Sequence, residues 1–137
     1  MNEYGQFHDG SFDGLWINEK TAHIFLTADE NQSFVAVLSG VVALNASEFR
    51  AGSIILSVDT RESEEIGRDD IAELYDLHEG AANEAHVFRQ LAKARDEKLM
   101  LLVIAPSYGA YCLVLAGSME LLPRADWIRR YCPGEIT

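Results

Sequence analysis

The chain has 137 residues, 48% of them hydrophobic, and 22 acidic against 11 basic side chains leave a formal net charge of −11. That length fits a single soluble domain spanning 1–137 with a sizeable core. The negative field works against nucleic acid or an anionic membrane as a primary partner. No apolar run approaches the roughly 18 residues of a membrane helix, and Met1–Tyr4 lacks the basic and apolar regions of a secretory signal, so cytoplasmic residence is expected. Cys112 and Cys132 form neither a disulfide framework nor a C-x-x-C motif. Cys112 reads as a small core residue in an apolar strand.

The most distinctive stretch comes first: His8-Asp9-Gly10-Ser11-Phe12-Asp13-Gly14-Leu15-Trp16. Each Asp-Gly pair joins a hydrogen-bond acceptor to a residue tolerant of positive φ, the chemistry of a turn or bulge leading into a strand. The structural reading is a locally hydrogen-bonded entrance to a sheet. The functional reading makes His8, Asp9, Asp13 and Trp16 a binding site, or His8, Asp9 and Asp13 the centre of a small metal-assisted hydrolase. No metal motif and no cofactor fingerprint completes the latter.

Strands follow. Leu15–Ile17 runs into the polar turn Asn18–Thr21. His23–Ala28 then places Ile24 and Leu26 on one face and His23, Phe25 and Thr27 on the other. After Asp29–Gln32 comes Phe34–Leu38, so a β-hairpin is expected. Gly40 interrupts the apolar run before Val41–Leu44, as at a bend where a long strand changes direction. Asn45–Gly52 reads as one helical turn ended by glycine, and Ile54–Asp59 as the fourth strand.

From Asp59 to Glu79 there are nine carboxylates and two arginines, a net of −7. Thr60–Gly67 reads as a loop. Asp70 and Glu73 have capping-box spacing for a helix with Ile71, Leu74, Tyr75 and Leu77 or His78 as its stripe. A second helix, from Asn83 or Glu84, carries Val87, Phe88, Leu91 and Ala92 on its apolar side. His78-Glu79 with Glu84 and His86 lacks the spacing that puts two metal ligands on one helical face.

Leu99–Ala105 and Tyr111–Ala116 then make a second hairpin around the turn Pro106–Gly109. Without gaps, His23–Leu44 falls on Met100–Leu121, matching Ala28, Val37, Leu38, Gly40 and Leu44 with Ala105, Val114, Leu115, Gly117 and Leu121. The tail Pro123–Tyr131 reads as a short helix with Trp127 and Tyr131 on one side. The expected fold is α+β: a mostly antiparallel sheet of about six strands, two helices between strands four and five, and a short C-terminal helix.

The run Tyr4–Ile17, together with Val37-Leu38-Ser39-Gly40-Val41, Phe49-Arg50 and Pro106-Ser107-Tyr108-Gly109, resembles a family of small bacterial proteins to which no activity is assigned. That resemblance covers most of the chain and implies no catalytic residues. More loosely, an early His-Asp-Gly before a compact α+β domain is similar to immunity proteins of bacterial toxin systems. With four scattered histidines and no nucleophile motif, binding is the expected role rather than catalysis. A basic protein is the expected partner, met by Glu62, Glu64, Glu65, Asp69 and Asp70 through long-range attraction; a homodimer is compatible with the sequence.

Overall fold

The computed structural model describes residues 4–28, 31–47, 53–77, 80–109, 111–132 and 134. Its elements are β1 (Ser11–Asn18), β2 (Thr21–Thr27), β3 (Ser33–Ser39), β4 (Ala43–Ser47), β5 (Ile54–Arg61), α1 (Arg68–Leu74), α2 (Ala81–Asp96), β6 (Met100–Tyr108), β7 (Tyr111–Ala116), β8 (Ser118–Pro123) and α3 (Arg124–Tyr131). Short 3-10 turns occupy Gly5–Phe7 and Ser63–Glu65. The fold is α+β with an antiparallel sheet, but the sheet has eight strands, not six, in the order β4-β7-β6-β5-β1-β2-β3-β8. The two inserted helices, α1 and α2, lie between the fifth and sixth strands rather than the fourth and fifth.

Both corrections have one cause. Gly40 does not bend one long strand; it ends β3, and the chain leaves to form β4 against β7 (Leu44 opposite Val114, Ala46 opposite Cys112). The second half does the same in reverse, sending β8 onto β3 with Ala36 opposite Leu121. Asn45–Ser47, read as the start of a helical turn, is strand; 48–52 lie outside the described residues. Thr60 and Arg61, read as loop, extend β5.

Each half is therefore a three-stranded meander whose fourth strand is exchanged with the other half. Only Gly40, Val41 and Val42 separate β3 from β4, so the two ends of the sheet curl towards each other. The Gly117 N–H donates to the Ser39 and Gly40 carbonyls at 2.9 and 3.2 Å, and Val42 N–H to Leu115 O at 2.8 Å. Between the halves lies one core, in which Ile24, Leu26, Ala36 and Leu38 meet Leu102, Ile104, Cys112 and Val114. Cys112 is fully buried, and burial pushes its thiol up to about 12. The ungapped echo is one residue out of register in the paired hairpins: it equates Leu38, which faces this core, with Leu115, which faces away. The structural equivalents are Ala36 with Val114 and Leu38 with Ala116, because a one-residue slip turns every side chain to the other face.

The outer faces are covered separately. On the second half, Val87, Leu91 and Ala94 of α2, with Ile71 and Leu74 of α1, pack on Leu101, Leu113 and Leu115. Phe88, expected in that stripe, is 58% exposed; the buried positions step by four and then three along α2, which turns its neighbour outward. On the first half, Trp127 of α3 packs on Val35, Val37 and Leu122. No described helix is long and apolar enough to cross a membrane.

The two halves join edge to edge at β1 and β5, where Ser11 faces Ile54. The His8–Gly10 turn makes this seam: Asp9 N–H donates to Ile55 O at 2.9 Å and Ile55 N–H to Gly10 O at 3.0 Å. A methyl at Gly10 would sit 2.1 Å from Thr27 O and 3.0 Å from Phe7 O, both backbone. Gly10→Ala is expected to destabilise the fold by about 3 kcal/mol, since backbone rather than a flexible side chain must yield. Gly5→Ala, with nothing within 4 Å, should stay within about 0.5 kcal/mol of the parent. Urea unfolding of the two variants checks this, and equal midpoints would contradict it.

Candidate functional site

The amino-terminal residues are architectural in their contacts. Asp13 accepts Ser11 Oγ–H at 2.6 Å on one oxygen and Thr27 Oγ1–H at 2.5 Å on the other. His8 Nδ1 lies 2.8 Å from Leu56 O, so that nitrogen carries a proton, and Nε2 is 3.6 Å from the Asp9 carboxylate. Asp9 sits at φ 65°, a backbone conformation aspartate tolerates through local hydrogen bonding. His8 and Asp9 face solvent across the seam, while Asp13 is engaged on the β1–β2 pair. Among the described residues, no group of three His, Cys, Asp or Glu is placed to hold a metal. Of the histidine pair weighed in the helical region, His78 lies outside the described residues, and His86 packs edge-on to Tyr75.

Trp16 belongs to a different assembly. It stands opposite His23 in the β1–β2 ladder and stacks on its ring, with centroids 4.6 Å apart. Trp127 Nε1–H donates to His23 Nδ1 at 3.0 Å, and Tyr131 meets the same imidazole edge-on at 4.9 Å. Four aromatic rings from two strands and one helix thus pin α3 to the sheet. His23 is buried, and burial holds its pKa below the ordinary value. The two-residue turn Glu19-Lys20 sets the register that brings Trp16 to His23, so this pair was within reach of the sequence.

The acidic flank is built on the turn at Ser63–Glu65 and on α1. Glu62, Glu64, Glu65 and Asp69 all face solvent. Glu65 Oε1 accepts the Glu62 N–H at 2.8 Å, and Arg68 pairs with Asp69 and Glu84. Asp70 differs. One of its oxygens accepts the Gly67 N–H at 2.9 Å, capping α1, and the other meets Arg61 Nη1 at 2.5 Å. Asp70 is thus an N3 acceptor for the turn before the helix rather than a cap paired with Glu73.

Beside this flank α1 and α2 leave part of the outer face of the sheet open. A cavity of about 310 Å³ opens between α1 and strands β5, β6 and β7, lined by Arg61, Asp70 and Glu73 above and Val103, Pro106 and Leu113 below, with Tyr111 at one side. Asn45 of β4 braces it, donating to Glu73 O at 2.9 Å and to the Tyr111 hydroxyl oxygen at 3.4 Å. Ile54 and Leu56 continue the apolar surface outward on β5. Sequence reasoning reached Asp70 but gave no site role to Arg61 or Asn45, because only the strand exchange carries Asn45 to this place. Searched against family models, curated proteins and solved structures, the chain matches none of them.

Two outcomes are expected from these contacts. Asp70→Asn should cost about 1–2 kcal/mol by weakening a helix cap and an ion pair together, whereas Asp69→Asn, at a side chain 92% exposed, should cost almost nothing; thermal unfolding of both distinguishes them. His23 gives a pH signature. Its native pKa lies below the 6.5 of the unfolded chain, so above pH 6.5 neither state is protonated and stability is level. As the pH falls below 6.5 the unfolded state takes up the proton first, and stability declines until the native pKa is reached. His23→Gln, which keeps an acceptor for Trp127, should lose that part of the acid slope in urea titrations at pH 7.5 and 5.5. An unchanged slope would contradict the assignment.

Proposed function

We propose that the protein is an acidic protein-binding module, of the kind an immunity protein exemplifies, that meets a basic partner through the flank of Glu62, Glu64, Glu65 and Asp69. The observation that carries this reading is the concentration of solvent-facing carboxylates on one short segment, Glu62–Asp69, whose sequence neighbours Arg61 and Asp70 line the cavity over β5, β6 and β7. A field of one sign raises the encounter rate with a partner of the other, and a desolvated patch beside it supplies the contact that holds the complex. Asp70, included on sequence grounds, is left out of the partner surface because its two oxygens are committed to Gly67 and Arg61. The metal-assisted hydrolase reading of His8, Asp9 and Asp13 draws no support from their contacts: both Asp13 oxygens accept hydroxyl groups within the β1–β2 pair.

The test is affinity capture from a cell extract at low salt, followed by identification of what binds. The variant carrying Glu62→Gln, Glu64→Gln, Glu65→Gln and Asp69→Asn keeps hydrogen-bond acceptors while removing four charges. Capture of a basic protein by the parent, reduced about tenfold or more by the variant and by raised salt, is the expected result. Equal capture by both proteins contradicts the proposal.

A further inference from the structure

We propose that the cavity beneath α1 is a socket for a long basic side chain, lysine or arginine, carried by the partner that the acidic flank attracts; this inference rests on the partner-binding reading above and gives it an anchor point. The first argument is charge. Two carboxylates, Asp70 and Glu73, face one guanidinium, Arg61. Arg61 and Asp70 are bound to each other at 2.5 Å, and the second Asp70 oxygen accepts the Gly67 N–H. The Glu73 carboxylate, by contrast, meets no partner among the described residues. Glu73 is exposed to solvent, and the charged residues lining the cavity are one cation against two anions, a net negative charge that disfavours anionic ligands and favours a cation.

The second argument is shape and lining. The cavity holds about 310 Å³, at the small end of ligand pockets, which suits a single side chain better than a cofactor. Below the carboxylates, Val103, Pro106 and Leu113 form an aliphatic floor. Lysine and arginine place methylene stems along such surfaces while keeping the charged head at a polar rim. Here the head would reach Glu73 and the Tyr111 hydroxyl, whose position Asn45 fixes. An uncharged apolar ligand would make no use of Glu73, and a compact metal ion would leave the aliphatic floor unused.

The proposal is tested by titrating isotope-labelled protein with Nα-acetyl-lysine methylamide and following backbone amide shifts, with the norleucine analogue, which lacks only the ammonium group, as the control. Saturable shifts are expected at Arg61, Glu73, Val103, Ala105 and Leu113 with the lysine compound and not with norleucine. Glu73→Gln should weaken binding by about fivefold, the loss of one partly exposed ion pair. Ala105→Met, at a further residue that lines the cavity between Val103 and Pro106, should abolish it; should that variant fold poorly, the Glu73→Gln comparison decides alone. The four-charge flank variant should retain the localised shifts. Shifts spread over all the acidic residues, or equal for lysine and norleucine, would overturn the socket even if capture by the flank stands. Localised shifts alongside equal capture by parent and flank variant would instead retain the socket and remove the flank as the partner surface.

Discussion

The crossing of the chain at Gly40 and Gly117 governs the rest of the molecule. At φ 65°, Gly40 takes a backbone conformation that side chains disfavour, and this turns the chain off β3 before a hairpin can close. The Gly117 N–H then bonds back to Ser39 and Gly40. Gly117 itself is not forced by sterics in the same way, since a methyl there would meet Ser39 O at 3.4 Å. From that crossing, β4 is delivered to β7 and β8 to β3, so each half completes its sheet with a strand from the other. No half has its own fourth strand, and the core between them is shared.

The exchange also decides what covers the outside. Because β8 runs along β3, α3 emerges over the first half and lays Trp127 across Val35 and Val37, where His23 accepts its indole proton. That face is closed. On the other half, α1 and α2 protect Leu101 and Leu115 but stop short of Pro106, Ile54 and Leu56. The gap between α1 and the sheet becomes a cavity with Asn45, from the opposite half, holding Glu73 and Tyr111 in place. One outer face is thus closed, while part of the other stays open.

Local chemistry was legible in the sequence and non-local pairing was not. The pairing of the two hairpins, the α1 stripe of Ile71 and Leu74 and the Trp127–Tyr131 side of α3 follow from periodicity within a few positions, although Pro106–Tyr108, read as turn, belong to β6. The strands β4 and β8 escaped because they are short and find their partners far along the chain. Without them the count stopped at six, and Asn45–Ser47 looked like the start of a helix. The echo between the halves was visible, anchored by the two glycines and by Leu44 with Leu121. Its register in the hairpins was wrong by one residue, since apolar strands buried on both faces carry no alternation to fix it. The cavity was invisible for the same reason: Arg61, Glu73, Val103 and Asn45 have no sequence relation, and only the exchanged strand brings the last to the others.

The most direct measurement is of the strand exchange itself, by nuclear Overhauser contacts between backbone protons in labelled protein. The account predicts contacts joining Leu44 to Val114 and Ala36 to Leu121, together with side-chain contacts from Asn45 to Tyr111. Contacts joining β3 to β4, and β7 to β8, as ordinary local hairpins would contradict it and would dissolve both the shared core and the cavity built upon it.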